Sequence, residues 1–213
     1  MNFIAGLDLG QAADYSALVV AERILPPSPP LTNAQLWGIT RAPVPSDQAL
    51  AYHLRHIQRF PLGTSYPAIV AEVKALLQKL VSFGATALVA DATGCGRPVI
   101  DMLVAAKLPC LIYAASITGG DTVNREGMHY RVPKRDLVST VQVLIQNAQL
   151  KIAASLPETQ TLVKELQNFK VKIDPITSHD SYSAWRENIH DDLVLATALA
   201  CWFGEHHREI ELW

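Results

Sequence analysis

The chain has 213 residues, of which 49% are hydrophobic and 18% are charged, and its formal net charge at pH 7 is −2. These values are typical of a soluble globular protein, and they exclude one that binds nucleic acid through a strongly basic overall charge. The longest apolar run, from Leu193 to Phe203, is shorter than the roughly 20 residues that a transmembrane helix needs. We therefore expect no association with a membrane.

The cysteines and the N-terminus both indicate a reducing compartment. Cys95, Cys110 and Cys201 are isolated and odd in number, which favours reduced thiols over a disulfide framework. The N-terminus lacks the basic segment of a signal peptide and has the pattern of a strand instead. We therefore expect a cytosolic protein.

The predicted elements begin with an antiparallel hairpin. The apolar runs Phe3–Leu7 and Tyr15–Ala21 flank a short polar turn, which is the pattern of two strands joined by a hairpin. A third strand is predicted at Ala34–Arg41, next to the second. Ser46 is a candidate N-cap for a helix that extends to Arg59, because apolar residues recur there at helical spacing.

From residue 67 onward the pattern alternates between helices and strands. It predicts, in order, a helix from Pro67 to Gly84, a strand at Thr86–Asp91, a helix from Pro98 to Ala106, a strand at Pro109–Ala115, helices that begin at Pro133 and Pro157, a hairpin at Lys170–Trp185 and a last helix at Leu193–Phe203. Such alternation is typical of parallel strands joined by helical crossovers. The expected fold is one α/β domain over residues 1–213, with an antiparallel start, a parallel continuation and flanking helices.

Acidic residues lie at three boundaries of these apolar segments. Asp8 ends the first strand, Asp91 ends a later strand, and Asp191 and Asp192 begin the last helix. Ligands gather at the carboxyl ends of parallel strands, and a helix N-terminus favours carboxylates nearby. If the two strands are neighbours, Asp8 and Asp91 point at one spot. Because adjacent helical residues point about 100° apart, only one of Asp191 and Asp192 is expected to face that spot squarely.

Carboxylates this close together need a countercharge, because their mutual repulsion raises their pKa values. Asp oxygens without Cys or His ligands favour a hard cation, Mg²⁺ or Mn²⁺, over zinc. Two such ions about 4 Å apart would hold the attacking and leaving oxygens of a phosphodiester. The pattern therefore predicts a two-metal site at the edge of the sheet.

Each acid also has a purely structural interpretation. Asp191 or Asp192 would serve as a helix cap, and Asp91 would accept hydrogen bonds across the glycine turn that follows it. A shared site is favoured because the acids occupy three apolar boundaries of one sheet.

Three motifs follow one another along the chain: Gly6-Leu7-Asp8-Leu9-Gly10 with Asp14-Tyr15-Ser16-Ala17, then Asp91-Ala92-Thr93-Gly94-Cys95-Gly96, then His190-Asp191-Asp192-Leu193-Val194. Together they resemble the nuclease domain of tailed-phage terminase large subunits, which belongs to the ribonuclease H-like superfamily of metal-dependent nucleases. The resemblance covers essentially the whole chain, including the hairpin before the last helix.

This resemblance implies a ribonuclease H-like fold in which Asp8, Asp91 and Asp192 are catalytic ligands of two Mg²⁺ or Mn²⁺ ions. Asp191 is an alternative to Asp192 or its helper. The implied reaction is endonucleolytic cutting of concatemeric double-stranded DNA during phage genome packaging, in the cytoplasm of a bacterial host. The implied partners are the DNA, an ATPase motor domain, the small terminase and the portal.

One feature departs from the family pattern. Terminase large subunits carry an ATPase motor ahead of the nuclease, whereas this chain has no G-x-x-x-x-G-K-[ST] phosphate loop. We therefore expect either an excised C-terminal domain or a self-standing relative, without ATP-driven translocation. Asp14 and His190 match the motifs less closely and are given secondary roles at most.

DNA would be held by local groups of basic and aromatic residues, which grip phosphates without reading bases. The candidates are Arg125, Arg131, Lys134 and Arg135 around the helix that begins at Pro133, and Lys170, Lys172, Tyr182, Trp185 and Arg186 on the late hairpin. The alternative for each is a solvated charged surface with an ordinary Trp at the edge of the core.

Other functions fit parts of the same pattern. An actin-like or sugar-kinase-like ATPase module also begins with an Asp-Leu-Gly hairpin and has a second glycine turn, but it needs two related domains. A Holliday-junction resolvase or transposase of the same superfamily would have the same acids and act as a dimer on branched DNA. A docking module of a packaging complex would not need the acids at all.

Overall fold

The computed structural model describes residues 2–10, 14–25, 50–93, 96–173 and 190–207. Within those ranges the strands are β1 (Phe3–Asp8), β2 (Ala17–Ile24), β3 (Ala51–Arg59), β4 (Thr86–Asp91), β5 (Leu111–Thr118), β6 (Asn124–Glu126), β7 (His129–Pro133) and β8 (Leu150–Ile152). The helices in the same ranges are α1 (Tyr66–Leu80), α2 (Gly96–Ala105), α3 (Lys134–Gln146), α4 (Thr159–Ile173) and α5 (Asp192–His206).

The strands form one mixed sheet in the order β6-β7-β5-β4-β1-β2-β3-β8. Strands β1, β2 and β3 are antiparallel neighbours, whereas β4 and β5 run parallel to β1. This arrangement confirms the predicted α/β fold with an antiparallel start and a parallel continuation. It also makes β1 and β4 direct neighbours, which was the condition for bringing their terminal aspartates together.

Every residue of β1 and β4 is buried, because helices cover both faces of the sheet there. Helices α3, α4 and α5 share one core with one face of the sheet, and α1 and α2 share a second core with the other face. Helix α5 is buried from Asp192 to Gly204, as expected for a helix that is apolar on all sides. None of the helices in the described part of the chain is long and apolar enough to cross a membrane.

Helix α5 approaches β1 closely at Gly6. A β-carbon on Gly6 would lie 1.9 Å from the carbonyl oxygen of Ala196 and 3.1 Å from the backbone nitrogen of Ala200. The absence of a side chain at Gly6 therefore sets how near the first turns of α5 lie to the end of β1.

The helix predicted from Ser46 to Arg59 is wrong over its described part, because Ala51–Arg59 is strand β3. Val20 of β2 pairs with His56 and Ala21 pairs with Leu54, so the strand carries a bulge at Arg55. One extra residue in a strand breaks its alternation of two, and here it spaces the buried residues like those of a helix. Ser46 lies outside the described residues. Strand β3 also takes the place next to β2 that was predicted for Ala34–Arg41, a range outside the described residues.

The predicted hairpin at Lys170–Trp185 is wrong at its start, because α4 continues to Ile173. The apolar residues Leu162, Leu166, Phe169 and Ile173 recur at helical spacing, whereas the alternation from residue 171 to 173 is too short to decide between helix and strand. The rest of that hairpin lies outside the described residues. Strands β6, β7 and β8 were not predicted. Strands β6 and β8 have three residues each, and β7 has five.

Candidate active site

The terminal aspartates of β1 and β4 lie side by side. Leu7 pairs with Ala90 in parallel register, so Asp8 and Asp91 are the next residues of adjacent strands. Each residue is only 8% exposed. Their neighbours along the strands determine their direction, because side chains of a strand alternate between its faces.

Both aspartates face the helix layer that contains α5. Asp8 alternates with Gly6, which contacts α5, and Asp91 alternates with Val89, which is part of the core shared with α5. The N-terminus of α5 contributes Asp192, which is 6% exposed. Sequence, sheet register and helix packing therefore bring acids from three segments toward one place.

The electrostatics of Asp8 report this proximity. Burial raises the pKa of Asp8 well above its ordinary value, and the charges of Asp91, Asp191 and Asp192 raise it further. The carboxyl groups of Asp8 and Asp91 lie close enough for a hydrogen bond when one of them is protonated, and this interaction raises the pKa of Asp8 further. Without a cation, the pair favours a shared proton over two adjacent buried negative charges.

Asp91 is held by the residue two positions after it. Its Oδ1 accepts hydrogen bonds from the backbone N–H of Thr93 at 2.8 Å and from the hydroxyl of Thr93 at 2.5 Å. The same hydroxyl oxygen accepts a hydrogen bond from the backbone N–H of Ile117 at 2.7 Å. Burial raises the pKa of Asp91, and the Thr93 hydrogen bonds oppose that rise. The turn interaction that was the structural interpretation of Asp91 is therefore present, and it occupies Oδ1.

Asp192 is held by Arg59, a residue that sequence reasoning missed. Arg59 Nε donates to Asp192 Oδ2 at 2.8 Å, and Arg59 Nη2 donates to Asp192 Oδ1 at 3.2 Å. Arg59 Nη2 also donates to Glu165 Oε1. Burial raises the pKa of Asp192, and the hydrogen bonds and charge of Arg59 oppose that rise. Arg59 is the last residue of β3, a segment for which the sequence pattern predicts a helix, so its position beside the acids could not be predicted.

Glu165, which sequence reasoning also missed, caps α5. Its Oε2 accepts hydrogen bonds from the backbone N–H groups of Leu193 at 3.1 Å and Val194 at 3.2 Å. Asp191 occupies the N-cap position but makes no side-chain capping hydrogen bond. The interpretation of Asp191 or Asp192 as the helix cap is therefore wrong, because Glu165 caps the helix instead. The available signal was Glu165 itself, a carboxylate on the apolar stripe of α4.

Asp191 has a different partner. Its side chain is 25% exposed and its Oδ2 lies 3.2 Å from Lys134 Nζ. The charge of Lys134 also lowers the pKa of Asp91. This lysine, which was predicted to contact DNA, therefore lies at the acid group formed by Asp8, Asp91, Asp191 and Asp192. Asp192 is more deeply buried than Asp191, whereas the charge of Asp191 raises the pKa of Asp8 more than the charge of Asp192 does. Which of the two residues faces Asp8 squarely therefore stays a prediction.

The other candidate DNA contacts are more dispersed. Arg131 alternates along β7 with the buried Tyr130, so it lies on the opposite face of the sheet from the acids. Arg125 lies over the Tyr130 ring at 5.1 Å. Arg135, at the start of α3, is paired with Asp121 at 2.6 Å. The side chains of Lys170, Lys172, Tyr182, Trp185 and Arg186 lie outside the described residues, as do Gly94 and Cys95 of the glycine turn.

The acid group has the donors that a hard divalent cation prefers, namely buried carboxylate oxygens without thiolate or imidazole ligands. Among the described residues, no three His, Cys, Asp or Glu side chains are already arranged as a metal site. Asp8 and Asp91 are in contact, whereas Asp191 and Asp192 are directed toward Lys134 and Arg59. The residues therefore fit a cation by their chemistry, with Asp8 and Asp91 in contact at the centre of the group.

Removing one charge from this group is expected to stabilise the metal-free protein. Because the folded-state pKa of Asp8 is raised, the free energy of unfolding falls as the pH rises from the ordinary Asp value through the raised one. Asp8→Asn should therefore have a higher Tm than wild type in EDTA at pH 8, and the difference should shrink toward pH 4. Thermal denaturation followed by circular dichroism measures it, with Asp101→Asn on exposed α2 as the control. A lower Tm for Asp8→Asn than for wild type at pH 8 would show that the ionised carboxylate of Asp8 does not destabilise the metal-free protein.

Comparison with known proteins agrees with this fold. The model of the terminase RNaseH-like domain family matches residues 63–202, a range that contains Asp91, Asp191 and Asp192. The crystal structure of the large terminase nuclease from thermophilic phage G20c aligns with 93% of this chain and 80% of its own, at 20% identity and a TM-score of 0.52. The structure of that nuclease with bound zinc aligns with 93% and 79%, at 22% identity and a TM-score of 0.50. At such identities the likeness shows the fold, which is ribonuclease H-like. A search of curated proteins gave no match.

Proposed function

This chain belongs to the terminase RNaseH-like domain family, and from that membership we propose that it is a metal-dependent endodeoxyribonuclease that cuts concatemeric phage DNA during genome packaging. The contact between the buried Asp8 and Asp91 beneath the N-terminus of α5 is the observation that supports this function most strongly. Burying acids together opposes folding, so a binding function is the physical reason to retain them.

Asp8, Asp91 and Asp192 would hold the cations, two Mg²⁺ or Mn²⁺ ions, and Asp191 would assist. A divalent cation is supported by the G20c nuclease, which was solved with bound zinc. When bound, such ions polarise the scissile phosphate and lower the pKa of a water nucleophile. The chain contributes the orientation of its acids: Thr93 fixes one oxygen of Asp91, and Arg59 holds both oxygens of Asp192.

Lys134 would place a positive charge where a DNA phosphate approaches the acids. Its amino group lies 3.2 Å from Asp191, and its charge reaches Asp91. A cation at that position offsets the repulsion between the acids and the phosphodiester. Arg135, together with Lys170, Lys172 and Arg186, would contact the DNA backbone farther away, whereas Arg131, on the opposite face of the sheet, is left out of the proposed interface.

Replacing Arg135 with Ala is expected to weaken binding to duplex DNA by a similar factor for all sequences, and to reduce the salt dependence of the affinity by about one unit of slope. Arg135 lies in the first turn of α3, and α3 packs on the same face of the sheet as the acids. Fluorescence anisotropy with a labelled duplex at several salt concentrations measures both quantities. Lys79→Ala, on the exposed part of α1 across the sheet, is the control and should leave both unchanged. Equal slopes for Arg135→Ala and wild type would remove Arg135 from the DNA interface.

The cellular setting follows from the same proposal. One domain, residues 1–213, would act on double-stranded DNA in the cytoplasm of a bacterial host, together with an ATPase motor domain, the small terminase and the portal.

Plasmid cleavage tests the proposed function. Supercoiled DNA should be nicked or linearised with Mn²⁺ or Mg²⁺ and remain intact in EDTA. A preference for a four-way junction over plasmid would favour a resolvase, and a rise in Tm with Mg-ATP would favour an ATPase module. Intact plasmid at every concentration of both metals would contradict the proposal.

A further inference from the structure

The N-terminus of α5 is built in an unusual way. The first N–H groups of a helix are normally satisfied by the side chain of the N-cap residue, and Asp191 stands at that position without capping. Glu165 of α4 accepts the hydrogen bonds from Leu193 and Val194 instead. The capping carboxylate therefore comes from another helix, and neither aspartate at the start of α5 is consumed by capping.

The second oxygen of Glu165 connects this cap to Asp192. Arg59 Nη2 donates to Glu165 Oε1 and also to Asp192 Oδ1 at 3.2 Å, while Arg59 Nε donates to Asp192 Oδ2 at 2.8 Å. One guanidinium therefore bridges two carboxylates that are each only 6% exposed. The three residues belong to β3, α4 and α5, so the bridge also ties together three elements that are distant in sequence.

The geometry of Arg59 is restricted on its other side as well. Its guanidinium lies 4.7 Å from the centre of the Tyr15 ring, and Tyr15 makes an edge contact with the His190 ring at 4.8 Å. A planar guanidinium both stacks on a ring and donates two hydrogen bonds to a carboxylate, whereas an ammonium group cannot do both with fixed geometry. Asp192 is therefore oriented by a fork that is itself held in place.

We propose that Arg59 is a positioning residue for Asp192: anchored by Glu165, it fixes the Asp192 carboxylate in the orientation in which it would bind the cation. This assignment rests on the proposed function, because it gives Asp192 its role at the acid group. The opposite possibility is that Arg59 competes with the cation for Asp192. The two possibilities predict opposite changes in Mn²⁺ affinity when Arg59 is replaced: weaker binding if Arg59 positions Asp192, and tighter binding if it competes with the cation.

That measurement is the affinity for Mn²⁺ without DNA, determined by isothermal titration calorimetry. Arg59→Lys keeps the charge and removes the fork, and it should bind Mn²⁺ about tenfold more weakly than wild type, as is typical when the partner of a metal ligand is changed. Arg55→Lys is the matched control, because Arg55 lies on the same strand and pairs with Glu22 at an exposed site. Its Mn²⁺ affinity should remain at the wild-type value.

Two further variants separate positioning from a general effect on folding. Glu165→Gln removes the anchor of Arg59 and leaves an oxygen for the α5 N–H groups, so it should also weaken Mn²⁺ binding. In an Asp192→Asn background, Arg59→Lys should change the affinity by less than twofold, because the side chain that it orients is no longer a carboxylate. A loss of about tenfold in that background as well would overturn the assignment.

The positioning role of Arg59 would also be overturned if Arg59→Lys bound Mn²⁺ with the same affinity as wild type. Tighter binding would overturn it too, and would identify Arg59 as a competitor of the cation. If Arg59→Lys does not fold in EDTA, Glu165→Gln takes its place in the test: a Mn²⁺ affinity equal to that of wild type would then overturn the positioning role of Arg59. A wild-type protein that binds no Mn²⁺ would instead overturn the proposed metal site, and this assignment with it. The wild-type titration therefore decides the function, and the ratio between variants decides the role of Arg59.

Discussion

Asp8→Asn is expected to reduce metal-dependent cleavage of plasmid DNA by at least about 100-fold. The substitution keeps the shape of the side chain and removes one charge from the contact between Asp8 and Asp91. Divalent cations contribute several kcal/mol of transition-state stabilisation, and a loss of roughly 3 kcal/mol corresponds to about 100-fold in rate. Asp91→Asn is expected to have an effect of the same size, because it removes the other carboxylate of the pair.

The comparison needs variants that stay folded. Asp101→Asn makes the same chemical change on the exposed surface of α2 and should cleave at the wild-type rate. Because Asp8→Asn is expected to be more stable than wild type without metal, its loss of cleavage would not reflect unfolding. If Asp8→Asn cleaved plasmid DNA at the wild-type rate, the acid group would not be the catalytic site.

The second large effect is expected from Gly6→Ala, which should lower the Tm by about 10 °C or prevent folding. The new β-carbon would lie 1.9 Å from the carbonyl oxygen of Ala196, a backbone atom that moves only if the whole of α5 moves. Overpacking in a core typically destabilises by 1–3 kcal/mol or more, and each kcal/mol lowers the Tm of a chain of this size by about 2–4 °C.

Thermal denaturation followed by circular dichroism measures this effect, with Gly119→Ala as the matched control. A β-carbon on Gly119 would meet no atom within 4 Å, so that variant should unfold near the wild-type temperature. A Tm for Gly6→Ala equal to that of Gly119→Ala would contradict the close approach of α5 to β1, and with it the way in which Asp192 reaches Asp8.

Much of the fold was predictable because its signals are local. The apolar run Thr86–Asp91 is a strand with the predicted bounds, and Pro133 precedes α3 as expected. The sequence predicted that Asp8 and Asp91 would meet only if their strands were neighbours, and the parallel pairing of β1 with β4 meets that condition. The failure at β3 was also local in origin, since the bulge at Arg55 gave a strand the spacing of a helix.

The surroundings of the acids were less predictable because they depend on tertiary contacts. Arg59 and Glu165 reach Asp192 from elements 133 and 27 residues away in sequence (192 − 59 and 192 − 165), and no spacing rule connects them. Thr93 is the exception, because it lies two residues after Asp91 in a turn where such a hydrogen bond is common. Sequence reasoning thus predicted the acids themselves, whereas the residues that orient them became visible only from the packing of β3, α4 and α5.

The central claim is that acids from β1, β4 and α5 share a cation, and anomalous diffraction from crystals grown with Mn²⁺ tests it most directly. The expected result is an anomalous peak within coordination distance of the carboxylate oxygens of both Asp8 and Asp91, with Asp192 adjacent to it. No peak at these carboxylates, at a Mn²⁺ concentration that supports cleavage of DNA, would contradict the claim.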